Sequence, residues 1–355
     1  MKILYAVQGT GNGHITRARV MAKALIMRKE VEVDFIFSGR NKDQYFDMQV
    51  FGHYRTFQGL TFVTSFGAID RWKTLKSLRL KQCIQDIKQL DLSSYDLLLN
   101  DFEPVSAWAA KRQGIPSISI SHQAAFCHPI PRQEMSLIDK LITRYFAPTD
   151  IRLGVHWYHF GFPILPPFID ISPAENTLEK TILVYLPFEE IDTIGQTLQT
   201  FSEYDFVSFH PSVKHTYHQD NIAWHPTGKL PFRRALSRCE GVIANAGFEL
   251  ASECLQLNKR MLLKPLLGQF EQMSNAYTLS SLGLCQFMRV LDSDVIENWL
   301  GSVTPEKILF SSDPNPLIDW LLKKQWNNTQ ELCADLWRNV NFPPAVIHQL
   351  AQSQN

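Results

Sequence analysis

The sequence predicts an α/β protein built from two doubly wound, Rossmann-like domains that face one another across a cleft. Three observations predict it. A strand–glycine turn–helix rhythm opens the chain, a proline-rich stretch interrupts it near the middle, and the same rhythm then restarts. Short apolar runs that alternate with amphipathic stretches need cover on both faces, which a parallel sheet with crossover helices supplies.

In the first half, Lys2–Val7 is an apolar run and Gly9–Gly13 a turn. Thr16–Lys29 is helical in pattern, with Ala18, Met21, Ala22, Leu25 and Ile26 on one stripe. Val31–Phe37 is the next strand. Asp96–Leu99, the helical stretch Pro104–Arg112, a Gly-Ile-Pro turn and the strand Ser117–Ser121 complete the unit. Residues 161–173 carry Phe162-Pro163, Pro166-Pro167 and Ser172-Pro173, which bar an internal helix or a central strand and suit a linker. Beyond it, strands are expected at Thr181–Leu186, Phe206–Phe209, Gly241–Ala244 and Arg260–Leu263, with the helix Phe248–Leu257 between the last two. Asn328 to Ala351 reads as two helices broken at Pro343-Pro344. The expected division is therefore a first domain over 1–160, a linker over 161–173, a second domain over 174–327, and terminal helices over 328–355 that pack back on the first domain.

Composition bounds the function. The 355 residues leave room for two domains at roughly 100–200 residues each. Thirty-five basic and 35 acidic residues cancel, which argues against a nucleic-acid-binding protein, since phosphate neutralisation needs a basic excess. The six cysteines form no C-x-x-C pair, so neither a disulfide framework nor a thiolate zinc site is expected. The pairs His156-x-x-His159 and His215-x-x-His218 lack a thiolate or helical setting, and no metal site is expected from them. Ile3–Val7 is too short for the core of a secretory signal, and no run approaches the ~20 apolar residues of a spanning helix. A cytoplasmic protein is expected.

In open parallel sheets, ligands sit beyond the carboxyl ends of the strands. Those positions carry Gly9–His14, Asn100-Asp101 and His122 in the first half, and Glu189-Glu190, His210, Asn245–Gly247 and Lys264 in the second. Polar residues follow many strands simply because loops are polar, so each position has an ordinary reading beside the functional one. The turn Gly9-Thr10-Gly11-Asn12-Gly13-His14 departs from a dinucleotide fingerprint, because His14 stands where the third glycine belongs and Ser38-Gly39-Arg40 lacks the acidic ribose ligand. Gly11 and Gly13 permit close approach of a ligand, and His14 is placed to take a proton from an attacking hydroxyl or merely to cap the helix. Asp101 is suited either to orient His14 or to cap the helix that starts near Pro104, a task Glu103 also fits. His122 is a third, weaker candidate. In the second half, Asn245, Gly247 and Phe248 open a helix whose free amides form an anion site, and Glu253 lies where a carboxylate accepts from both hydroxyls of a ribose. Gln269, Glu271, Gln272 and Asn275 cluster further on, a set suited to sugar hydroxyls as well as to an ordinary surface.

Taken together, these motifs resemble the two-domain (GT-B) nucleotide-sugar glycosyltransferases, in the branch of the peptidoglycan GlcNAc transferase, the plant diglyceride galactosyltransferases and the UDP-glucuronosyltransferases. The Gly9–His14 loop is similar to that family's G-T-G-G-H loop, whose histidine is the catalytic base. Glu253, six residues after Gly247, matches its ribose carboxylate, and Glu271-Gln272 with Asn275-Ala276 matches its sugar contacts. Asp101 resembles the aspartate that supports the base. Asn245-Ala246 stands where plant members have His-Cys, and the gap from Pro265 to Gln272 is longer than theirs.

The resemblance, which covers roughly residues 1–290, implies a metal-independent, inverting transfer from a nucleotide-diphosphate donor, UDP-linked, to an acceptor glycan, lipid or small molecule, without a cofactor. Two other classes fit the same text: a UDP-sugar 2-epimerase, and a non-catalytic nucleotide-sugar-binding protein. The stretch Arg71–Lys88 pairs basic residues with a partial apolar stripe of Trp72, Leu75, Leu78, Ile84 and Ile87. It reads either as a surface helix packed on the sheet or as a peripheral contact with anionic lipid.

Overall fold

A computed structural model describes residues 1–60, 64–65, 68–69, 79–170 and 177–353. Residues 71–78 of the basic stretch and Ser172-Pro173 lie outside the described residues.

The first sheet has seven parallel strands: β1 Lys2–Gln8, β2 Glu32–Ser38, β3 Tyr54–Phe57, β4 Leu97–Asp101, β5 Ser117–Ser121, β6 Ile151–Val155 and β7 Ile164–Leu165. Their order is β3-β2-β1-β4-β5-β6-β7. β1 and β4 are near-continuous apolar runs because helices cover them on both sides: Leu4, Ala6 and Leu98 face one cluster and Ile3, Tyr5, Val7, Leu97 and Leu99 the other. Helix α1, Asn12–Ile26, buries Ile15, Ala18, Met21, Ala22 and Leu25. It starts earlier than the apolar stripe predicts because Gly11 is the N-cap in an extended conformation. Helices α2 Leu80–Gln89 and α3 Pro104–Gln113 cover the opposite face, followed by the short α4 His122–Ala125 and by α5 Leu137–Tyr145. β7 lies between Pro163 and Pro166, a position that prolines tolerate at a sheet edge.

The second sheet repeats the plan. Its strands are β8 Thr181–Tyr185, β9 Asp205–Phe209, β10 Tyr217–Gln219, β11 Ile222–His225, β12 Gly241–Ala244, β13 Arg260–Leu263 and β14 Gln286–Phe287, in the order β10-β11-β9-β8-β12-β13-β14. All pair in parallel except the β10–β11 hairpin. The helices are α6 Ile191–Leu198, α7 Lys229–Arg238, α8 Phe248–Gln256, α9 Phe270–Ser281 and α10 Ser293–Leu300.

Apolar packing runs across the junction of the lobes, where Phe248 of α8 stacks on His122 at 4.0 Å and meets Trp157 at 4.9 Å. The last helices are α11 Asn315–Lys323, α12 Thr329–Trp337 and α13 Pro344–Ser353. They reach the first sheet's side: Trp337 Nε1 donates to Ile164 O at 2.7 Å, and Arg28 pairs with Asp319 at 2.7 Å. Among the described residues, no helix is long and apolar enough to cross a membrane.

In both sheets the strand order reverses beside the first strand, at β1/β4 and at β8/β12. The crevices at these two switch points are where ligands of doubly wound sheets bind.

Candidate active site

A cavity of about 600 Å³ lies between the lobes, beyond both switch points. Its wall carries Gly11, Gly13 and His14 from the first lobe and Asn245, Gly247, Phe248, Glu253, Gln269, Glu271 and Gln272 from the second.

His14 occupies the first turn of α1 and is mostly buried, with its ring on the cavity wall. Its Nδ1 lies 2.7 Å from Asp101 Oδ1, at the carboxyl end of β4. An ionised carboxylate only accepts, so Nδ1 carries a proton toward Asp101, and in the neutral ring Nε2 is the acceptor. The amide nitrogen of Gln123 lies 3.4 Å from that Nε2. Asp101 is fully buried. Burial alone would raise its carboxyl, but the charges of Arg17 and His14, with their hydrogen bonds, hold it below the ordinary range.

Glu103, not Asp101, caps α3. Its carboxylate accepts from Val105 N at 2.8 Å, Ser106 N at 2.6 Å and Ser38 Oγ at 2.8 Å. Phe102, in the left-handed region at φ 56°, makes the turn that separates the two acids, so that Asp101 faces His14 while Glu103 faces the helix amides.

Arg17 is a site residue that the motif reading misses. It lies three residues after His14, hence on the same helix face, and is buried. Its Nε and Nη2 donate to Asp101 at 3.0 and 2.9 Å, and its Nη1 donates to Glu249 of the other lobe. A guanidinium among the apolar residues of α1 needs carboxylate partners, and that is the signal that could have found it. Glu249 and Gln123 are also on the wall and also missed. Gln123 Nε2 donates to Glu271 Oε2 at 2.9 Å, again across the lobes.

On the second lobe, α8 starts at Gly247, an extended N-cap with no side-chain hydrogen bond to the helix amides. The N-terminus of α1 is likewise uncapped by a side chain. The two first turns approach closely: a Cβ on Gly13 would lie 2.8 Å from Glu249 Cγ, so glycine is needed there. At Gly247 and Gly11 a Cβ would meet no protein atom within 4 Å. Burial pushes the Glu249 carboxyl up to about 7, against the pull of Arg17, and pushes Glu253 up to about 8, against Arg233 and Lys229. Arg40, Lys229 and Arg233 add positive charge to the wall. Two buried amide oxygens there, Asn245 Oδ1 and Gln123 Oε1, have no hydrogen-bond partner among the described residues.

Gln272 lines the cavity while its Oε1 accepts from Leu266 N at 2.8 Å. Asn275 is set apart. It is fully buried, its Nδ2 donates to Ala246 O at 2.9 Å and its Oδ1 meets His122 Nε2 at 2.7 Å. Asn275 is absent from the cavity wall, and its amide instead joins the lobes through Ala246 O and His122 Nε2. The His156-x-x-His159 pair is divided between different partners: His156 Nδ1 accepts from Trp157 N and His159 Nδ1 from Gly161 N.

Solved structures that resemble this one include a glycotransferase. The glycotransferase of kitacinnamycin superposes with a TM-score of 0.57 at 13% identity, covering 99% of this chain and 94% of that one. MurG of Acinetobacter baumannii gives 0.51 at 14% identity, covering 99% of each chain. The UGT2 protein of Phytolacca americana, solved with UDP-2fluoro-glucose and pterostilbene, gives 0.57 at 13% identity, covering 99% of this chain and 98% of that one. These likenesses establish the two-lobed GT-B fold. No curated protein matches the chain by sequence. The profile of glycosyl transferase family 1 matches residues 1–304, and with that match over most of its length the chain belongs to this family of glycosyltransferases.

Proposed function

We propose that the protein transfers a sugar from a nucleotide-diphosphate donor, UDP-linked, to an acceptor hydroxyl with inversion at the anomeric carbon. The observation that carries this reading is the pairing, across one cavity, of a His14–Asp101 dyad and the uncapped N-terminus of α8. His14 Nε2 takes the acceptor proton as the hydroxyl oxygen bonds to the anomeric carbon. The bond from that carbon to the diphosphate oxygen breaks, and its electron pair leaves with the diphosphate. Asp101 stabilises the imidazolium. The free amides of α8, with its helix dipole, take the developing negative charge, a task that a divalent ion performs in other transferases.

Glu253 is proposed to hold the ribose, with Glu271 and Gln272 turned to the sugar. The partnerless oxygens of Asn245 and Gln123 suit a ligand rich in hydroxyl donors. The UDP assignment draws on the ligand named for the Phytolacca americana protein and on the resemblance of the motifs.

A panel of nucleotide sugars in a thermal-shift assay tests the donor, since a ligand of the native state raises the melting midpoint. UDP-sugars are expected to raise it, and to do so less for Glu253→Gln. Incubating the stabilising sugar nucleotide, labelled in the sugar, with a cell extract tests the reaction. Label in a new product supports transfer, an epimerised nucleotide sugar would reassign the site to an epimerase, and binding without turnover would make it a binding protein.

A further inference from the structure

Helix α5, Leu137–Tyr145, is turned inside out relative to an ordinary surface helix. None of its residues is buried. Leu137, Ile138, Leu141 and Tyr145 are exposed by 78, 59, 57 and 48%. At 100° per residue they fall on one arc, while the polar Asp139 and Thr143 lie on the side toward the protein. Arg152 of β6 reaches that inner side, donating to Arg144 O at 3.2 Å. Lys140 and Arg144 are exposed along one edge of the apolar arc, and the Arg144 guanidinium lies over the Tyr145 ring at 5.7 Å. Asp139, the only acid of the helix, is spent on its own N-terminus: its Oδ2 accepts from Ser136 Oγ at 2.6 Å and Ser136 N at 3.1 Å.

The same face of the sheet carries a second helix with exposed apolar and basic residues, although this one also packs Cys83 on the core. Arg152 pairs in register with Ser119, and Ser119 with Asn100, on the face of Leu98 that α2 and α3 cover. There α2 exposes Leu80 and Ile84 by 52% each, beside exposed Lys81 and Lys88.

We infer that α5 docks the protein on an anionic lipid surface, its apolar arc entering the acyl boundary while Lys140 and Arg144 meet the headgroup phosphates. Exposed leucines beside cations, with the helix's one acid turned back to its own N-terminus, have the charge complementarity of such a surface. Position adds a consequence. The residue after α5, Phe146, stacks on Phe102 at 4.8 Å, and both line the cavity that holds His14. A docked bilayer would therefore lie beside an aromatic wall of the cavity, which suits an acceptor that is a hydroxyl-bearing lipid. This consequence for the acceptor rests on the transferase reading; the docking does not.

Flotation of the full chain with vesicles tests the docking. Phosphatidylglycerol and phosphatidylcholine in equal parts are expected to carry the protein, and pure phosphatidylcholine to carry far less. Lys140→Gln with Arg144→Gln is expected to weaken binding roughly 30-fold, from ~1 kcal/mol per cation near the surface. Leu137→Gln with Leu141→Gln is expected to weaken it by roughly 100-fold, from the loss of two inserted leucines. All four side chains are exposed, so both variants keep the parent's melting midpoint and its stabilisation by the sugar nucleotide. Failure of the parent to float, or equal flotation of either double variant, would overturn the inference. So would a concentration-dependent dimer that Leu137→Gln with Leu141→Gln abolishes, since a second copy would then own the face. Vesicle binding without sugar transfer would instead count against the transferase reading and leave the docking standing.

Discussion

Arg17 and Glu249 form a buried ion pair that ties the second turn of α1 in one lobe to the first turn of α8 in the other. The same guanidinium also holds Asp101, the partner of His14. One cation thus serves both the His14–Asp101 pair and the junction of the lobes, and any opening of the cleft that separates Arg17 from Glu249 alters the charge around that pair.

Removing that cation takes the strongest partner from buried Asp101, and from Glu249 wherever it is ionised. Arg17→Gln is expected to cost roughly 3–5 kcal/mol of stability, measured by urea denaturation. Arg17→Lys keeps the charge but loses the planar fork that grips both acids, and is expected to fall between. Parent-like stability of Arg17→Gln would show that the ion pair does not hold the lobes.

The raised carboxyls set a pH dependence. Glu249 at about 7 and Glu253 at about 8 keep protons in the folded state that the unfolded chain has released above its ordinary value of 4.5. The folded state therefore binds more protons across that interval, and stability falls as pH rises from about 4.5 to about 8. Thermal melts through this range are expected to show the fall, and Glu253→Gln to flatten its upper part. Asp101 acts in the opposite sense: its depressed carboxyl contributes stability that is lost only as pH falls below the unfolded value of 3.8.

Gly247 separates the needs of the fold from those of a ligand. Its backbone is ordinary, at φ −74°, and a Cβ there would touch no protein atom within 4 Å. Gly247→Ser would supply the missing helix cap. The melting midpoint is expected to hold or rise, while sugar-nucleotide affinity measured by calorimetry drops roughly tenfold, or ~1.4 kcal/mol, because the hydroxyl occupies the amides proposed for the diphosphate. Unchanged affinity would move the anion site elsewhere.

Much of this arrangement is legible in the residues themselves. The strands β1, β4 and β12 are apolar runs closed by polar or small residues, so their carboxyl ends, and with them His14, Asp101 and Gly247, can be located from local pattern. Edge strands are not so marked: Tyr54–Phe57 and Tyr217–Gln219 are short and at least partly exposed, and lack the apolar signal. The choice between Asp101 and Glu103 as cap depends on the left-handed turn at Phe102, which the residue type does not announce. Arg17–Glu249 spans 232 residues, and Asn275–His122 spans 153. Such pairings follow from how the lobes meet: an arginine among the apolar residues of α1 points to buried carboxylate partners, but no window of sequence names Glu249 as one of them or shows that Asn275 meets His122.

The account turns on His14 as the group that accepts the acceptor's proton. The most direct measurement is the transfer rate of His14→Ala beside the parent, using the sugar nucleotide that stabilises the parent and an extract that supplies the acceptor. Transfer is expected to fall by roughly 10²–10⁴-fold while the thermal shift caused by the donor persists. A variant that binds the donor and transfers the sugar at the parent's rate would contradict the account.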